Sequence, residues 1–219
     1  MAGFAATVAV VTAALAAGGP LIELDLAVRE WSEAHRPAPA ETVARAANRL
    51  GQGGVLLGIC GVLTGWLALA RWRWRAGWWP VLRPVLYLLV AVLLVYPTVA
   101  GLKAATERGA PSSPLPPEQT VALLGPLPPG EYDTGYPSGH AVNTIVWYGV
   151  MLLLATALLR GYGRARPPRP VRIGLRVIPP VIVVWAQTYL SFHWLTDSLA
   201  GLALGLAIDR SLRLLRRRE

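Results

Sequence analysis

Apolar residues run through this chain in long blocks, and short stretches between the blocks carry nearly all of the charge. A helix that crosses the hydrocarbon core of a bilayer needs about 20 mostly apolar residues. Six blocks approach that length, near residues 3–22, 53–70, 81–102, 141–159, 173–190 and 195–208. The pattern predicts an all-α fold, a polytopic membrane bundle of six transmembrane helices. The fifth and sixth blocks are short and nearly contiguous, and His193 stands between them. The sixth is marginal in length, which predicts a tilted helix or a locally thinned bilayer. Residues 25–52 alternate charge with apolar positions at near-helical spacing, Leu26 and Trp31, then Val43, Ala47 and Leu50. This segment is predicted to be an interfacial helix broken at Pro37 and Pro39. Residues 106–136 hold seven of the 19 prolines and no long apolar run, and are predicted to form a loop over one end of the bundle. No soluble domain and no internal repeat stands out, so residues 1–219 read as one membrane-embedded domain with its chemistry within about 81–210.

Composition agrees with the membrane reading. Hydrophobic residues make up 54% of the chain and charged residues only 15%, against about 25% charged in soluble domains. The first block is read as a retained helix, because no Lys or Arg precedes it as the basic region of a signal peptide would. The single cysteine, Cys60, lies inside an apolar block and offers neither a disulfide nor a zinc motif.

The net charge of +9 raises nucleic-acid binding as a possibility, but the charge is distributed as a membrane topology signal. Alternate connections and the tail hold 15 basic residues and two acids, Asp209 and Glu219; the other side holds six basic residues and ten acids. The positive-inside rule then puts both termini in the cytoplasm. Trp72, Trp74, Trp78 and Trp79 fit an aromatic belt on that inner face. The expected partners are the bilayer and a lipid within it, with no nucleic acid.

Chemistry concentrates at two short motifs on the opposite, outer face. They are Pro137-Ser138-Gly139-His140 and His193-Trp194-Leu195-Thr196-Asp197, and they use two of the three histidines. The i, i+4 spacing of His193 and Asp197 puts both on one side of a helix. There a carboxylate can fix the imidazole tautomer and raise the nucleophilicity of the other ring nitrogen. Ser138 can cap a helix that begins after Pro137. Gly139 lets an anion approach the unpaired amides at that helix start. Lys103, the only lysine beside 20 arginines, follows the third block on the same face and suits a phosphate oxygen as a point charge. His140, His193 and Asp197 also make a two-histidine, one-carboxylate set that a metal could use. The anion-binding turn beside them favours phosphate, and no metal site is assigned.

These residues resemble the type 2 phosphatidic acid phosphatase family, which includes vanadium haloperoxidases. The family pattern is Lys, six residues, Arg-Pro; then Pro-Ser-Gly-His; then Ser-Arg, five residues, His, three residues, Asp. The chain carries the second part whole, His193 and Asp197 of the third, and Lys103 and Pro111 of the first. It departs at two phosphate-gripping arginines, which are Ala110 and Gln187 here. The resemblance implies a membrane lipid phosphate phosphatase with no cofactor. His193 is the expected nucleophile, Asp197 its partner and His140 the acid and base. Lys103, Ser138, Gly139, Gln187 and Arg108, five residues past Lys103, are expected to hold the phosphate. The missing cations leave two alternatives: a lipid phosphotransferase or phosphodiesterase of the same fold, or a degenerate member that binds lipid phosphate without turnover. Vanadate chemistry, which needs a tight grip on the anion, does not fit.

Overall fold

The computed structural model describes residues 2–125, 127–128 and 135–217. Among the described residues the chain forms α1 (Ala2–Ala16), α2 (Pro20–Ala34), α3 (Ala38–Asn48), α4 (Gly53–Arg73), α5 (Trp78–Thr106), a one-turn α6 (Pro117–Thr120), α7 (Gly139–Gly161), α8 (Arg169–Tyr189) and α9 (Leu195–Arg217). The fold is all-α, as the apolar pattern predicts.

Helix α7 is the hub. It packs against α4, α8 and α9, while α5 lies on α4 and α1 on α9. Cys60, Ala91, Val95, Val146, Trp147, Leu154 and Ile208 make the buried core between them. Outside the core, Val62 is 71% exposed and Leu93 67%. Apolar side chains turned outward in this way on long helices are matched by lipid, not water. Helices α4, α5, α7 and α8 are long and apolar enough to cross a membrane.

The first and sixth predicted spans differ from the sequence reading. The first is cut at Gly18 and Gly19, whose φ angles are +74° and +101°. A side chain rarely adopts such angles, and Pro20 then starts a new helix. The chain turns by 85° between α1 and α2, which together amount to at most one bent span. The sixth block extends nine residues beyond the apolar limit of the sequence pattern into a 23-residue helix, α9. Its added turns carry Asp209, Arg210 and Arg213, so composition alone understates its length. The segment 25–52 forms α2 and α3 with a break ahead of Ala38, and α3 lies against α8.

Candidate active site

The Pro137-Ser138-Gly139-His140 motif makes the start of α7. Ser138 is the N-cap: its Oγ accepts from the Ala141 amide at 3.3 Å and donates to Gln187 Oε1 at 2.7 Å. Its own amide donates to the Asp197 carbonyl at 3.0 Å, tying the first motif to the second through the backbone. Two glycines of α9 permit this approach. A Cβ at Gly201 meets the Ser138 carbonyl oxygen at 2.5 Å, and one at Gly205 meets Ile145 Cβ at 2.9 Å. Small residues four apart let two helix backbones come close. The pair holds the start of α7 beside the start of α9.

His193 sits in the turn between α8 and α9, two residues ahead of the helix, so the expectation of one helical face is corrected. Backbone amides of Phe192 and His193 both donate to the Gln187 carbonyl, at 2.9 and 3.4 Å, and this sets the ring's position. Its Nδ1 lies 3.5 Å from Asp197 Oδ2, at the outer limit of hydrogen bonding, and has no closer partner. Asp197, in the first turn of α9, is fully buried and its Oδ2 also accepts from the Trp194 amide at 3.0 Å. Nε2 is therefore the histidine nitrogen left for chemistry.

His140 and His193 line one cavity of 710 Å³ together with Lys103, Gly139 and Gln187. Ala110, one of the two positions at which the resemblance leads one to expect arginine, lines the same space. Ser138 is wholly buried, so its contribution is the cap and the bond to Gln187. Gln187 is held at both ends, since its Nε2 donates to Asn48 Oδ1 at 2.9 Å. Of the described residues lining the cavity, Lys103 is the one cation.

Arg108 does not reach the cavity, which corrects the expectation that it holds phosphate. It is fully buried and its donors are committed elsewhere. Nε donates to the Val121 carbonyl at 2.7 Å, Nη1 to Thr196 Oγ1 at 2.8 Å and to Asp197 Oδ1 at 2.5 Å, and Nη2 to Asp25 Oδ2 at 2.7 Å. The physical reason is the pair of buried carboxylates, which need a counter-charge more than a solvated cavity does. Asp25 in turn accepts from the Thr196 amide at 3.0 Å and from its hydroxyl at 2.5 Å. The guanidinium also lies 5.6 Å over the Trp194 ring. This cluster fastens α2, the loop after α5 and the start of α9 behind His193.

Sequence reading missed Asp25, Thr196, Trp194 and Asn48. Asp25 had a signal: an acid flanked by Leu24 and Leu26 near the membrane is expensive unless paired. Trp194, buried, donates through its indole to the Gly109 carbonyl at 2.9 Å and closes the loop over the cluster. Tyr136, at the end of that loop, bonds Thr12 Oγ1 at 2.7 Å, and burial pushes its phenol above the ordinary range. The two-histidine, one-carboxylate metal set does not assemble: among the described residues no three His, Cys, Asp or Glu side chains are gathered to hold an ion.

Residues 84–218 match the PAP2 superfamily, and the chain belongs to it. A solved structure of similar fold is that of the first transmembrane PAP2 type phosphatidylglycerolphosphate phosphatase from Bacillus subtilis. The two chains are 19% identical, with a TM-score of 0.69 over 99% of this chain and 96% of that one. At that identity the likeness is one of fold. No curated protein matches the sequence. The protein is a multi-pass membrane protein with a PAP2 phosphatase fold.

Proposed function

We propose that the protein is an integral-membrane lipid phosphate phosphatase that hydrolyses a phosphomonoester or pyrophosphate through a phosphohistidine. The observation that carries this reading is the single cavity lined by His140, His193 and Lys103, with Asp197 behind His193. Lys103 and the amides at the start of α7 take the phosphoryl oxygens. Nε2 of His193 attacks phosphorus in line, and the bond from phosphorus to the lipid oxygen breaks. Asp197 stabilises the positive imidazole that forms, and His140 protonates the departing oxygen. His140 then takes a proton from water, whose oxygen attacks the phosphohistidine and frees inorganic phosphate. Electrostatic stabilisation by fixed donors supplies most of the rate, as in other phosphoryl transfers. The charge pattern supports a cell-membrane protein with both termini cytoplasmic and the cavity facing outward.

A second reading draws on one specific observation. With Ala110 and Gln187 in the arginine positions, Lys103 is the one cation among the described lining residues. A phosphodiester carries less charge than a monoester dianion, so a diesterase or phosphotransferase fits this sparse grip. Both readings are separated by purified protein and a panel of lipids: phosphatidylglycerol phosphate, phosphatidic acid, a polyprenyl pyrophosphate and a diester lipid with an alcohol acceptor. Chelator-insensitive release of inorganic phosphate from any of the first three supports the phosphatase; headgroup exchange alone supports the transferase; inactivity on all four contradicts both.

A further inference from the structure

At the other end of the bundle the chain builds a second charged cavity that the phosphatase reading does not use. Helix α7 runs from His140 to Arg160, which at about 1.5 Å per residue separates the two ends by about 30 Å. Around that far end lies a cavity of 450 Å³ lined by Arg160, Arg166, Arg169, Arg172, Arg176 and Arg213. Asp209 is the one carboxylate among the described lining residues. It is shared by Arg176, at 3.3 Å, and by Arg213. No ion pair among the described residues engages Arg160, Arg166, Arg169 or Arg172.

Three features distinguish this from arginines that merely reach water to set topology. The floor is built: a Cβ at Gly149 meets Asp209 Oδ1 at 2.6 Å, so glycine in α7 is what admits the Asp209 pair against the helix. Two guanidinium Nε groups, of Arg172 and Arg213, are shielded from solvent and have no hydrogen-bond partner. The cavity also continues into an apolar one. Tyr87, Leu153, Thr156 and Arg160 line both this cavity and a neighbouring 870 Å³ groove whose walls include Leu67, Leu86, Val90 and Leu154. Trp79 stands at the groove, and Trp72 and Trp78 are exposed at the same end of the bundle, as residues of a membrane interface are.

We propose that this is a binding site for an anionic glycerophospholipid of the leaflet opposite the histidine cavity. The phosphate headgroup sits among the arginines and an acyl chain lies in the apolar groove. Guanidinium groups pair with phosphate oxygens through two parallel N–H bonds, and basic pockets between membrane helices suit anionic headgroups. The site is independent of the chemistry assigned to His193.

The test is lipid binding by the full-length protein in detergent, read by native mass spectrometry and by thermal shift. The probes are dioleoyl phosphatidylglycerol, dioleoyl phosphatidylcholine and inorganic phosphate. R166Q/R172Q is compared with R73Q/R75Q, which removes the same number of charges from the same end of the bundle outside both cavities. Wild type and R73Q/R75Q are expected to prefer phosphatidylglycerol, and R166Q/R172Q to bind it on the order of 30-fold more weakly, with phosphatidylcholine binding unchanged. Equal losses in the two variants overturn the proposal in favour of diffuse surface charge. Inorganic phosphate that stabilises wild type as well as the lipid does overturns the lipid assignment. A thermal midpoint of R166Q/R172Q in phosphatidylcholine that equals the wild type's shows that any loss is one of binding.

Discussion

Arg108 and Asp197 form an ion pair of 2.5 Å in which neither side chain reaches solvent. With Asp25 on the other arm of the guanidinium, at 2.7 Å, the three charges carry a net negative charge directly behind His193. That is the electrostatic setting in which an imidazole can become positive when it bonds to phosphorus. Arg108 thereby serves as a structural counter-ion and not as a grip on the substrate.

The first prediction follows from that role. Removing one partner of a buried ion pair costs about 3–5 kcal/mol, because the other charge is left uncompensated. Arg108→Ala, which leaves Asp25 and Asp197 buried without a counter-charge, is therefore expected to lower thermal stability in detergent by a large margin, whereas Asp25→Ala leaves Arg108 paired with Asp197 and is expected to cost less. A variant Arg108→Ala that keeps its midpoint and only raises the KM for lipid phosphate contradicts the assignment.

Asp197→Asn keeps the shape of the carboxylate and removes its charge. Turnover is expected to fall by about 10²–10⁴-fold, the range for disabling an acid–base partner. The rate constant for turnover is the readout, with KM largely retained; an unchanged kcat removes Asp197 from the mechanism.

Restoring charge to the cavity gives a third test. Ala110 faces the cavity beside Lys103 and His193. An added donor to a transition-state oxygen is worth about 10²–10³ in rate. Ala110→Arg is expected to raise monoester turnover towards that range if the native chain is a cation-poor phosphatase. A lower monoester rate with an unaltered fold argues that the space is shaped for a less charged diester.

The α7–α9 contact is the fourth. A Cβ at Gly201 lies 2.5 Å from the Ser138 carbonyl oxygen, closer than side-chain carbons come to backbone. Gly201→Ala must push the start of α7 off α9, so both thermal midpoint and phosphate release are expected to drop. Gly65→Ala, whose added Cβ meets nothing within 4 Å, is the matched control and is expected to change neither.

Much of this architecture was legible in the residues. Long apolar runs announce helices whatever their partners, and α4, α5, α7 and α8 follow from that alone. The motif pair was legible because Ser138 caps a helix by local chemistry. What eluded the pattern depended on distant contacts. Asp25 looks like the edge of an interfacial segment until the Gly18-Gly19 turn swings α2 across α9. Arg108 looks like a phosphate ligand because its sequence neighbour is Lys103, whereas its charge is drawn to carboxylates 83 and 89 residues away. Spacing placed His193 and Asp197 on one helical face. The chain instead brings them together through a turn held by the Gln187 carbonyl, a contact no periodicity encodes.

In the proposed reaction His140 and His193 act on one phosphorus atom. The decisive experiment labels wild type, His193→Ala and His140→Ala with a ³²P lipid phosphate and follows the survival of the protein-bound label in acid and in base. Wild type is expected to form a base-stable, acid-labile phosphoenzyme and His193→Ala none, and both variants are expected to lose phosphate release with thermal midpoints intact. Phosphate release by His193→Ala at the wild-type rate contradicts that reaction.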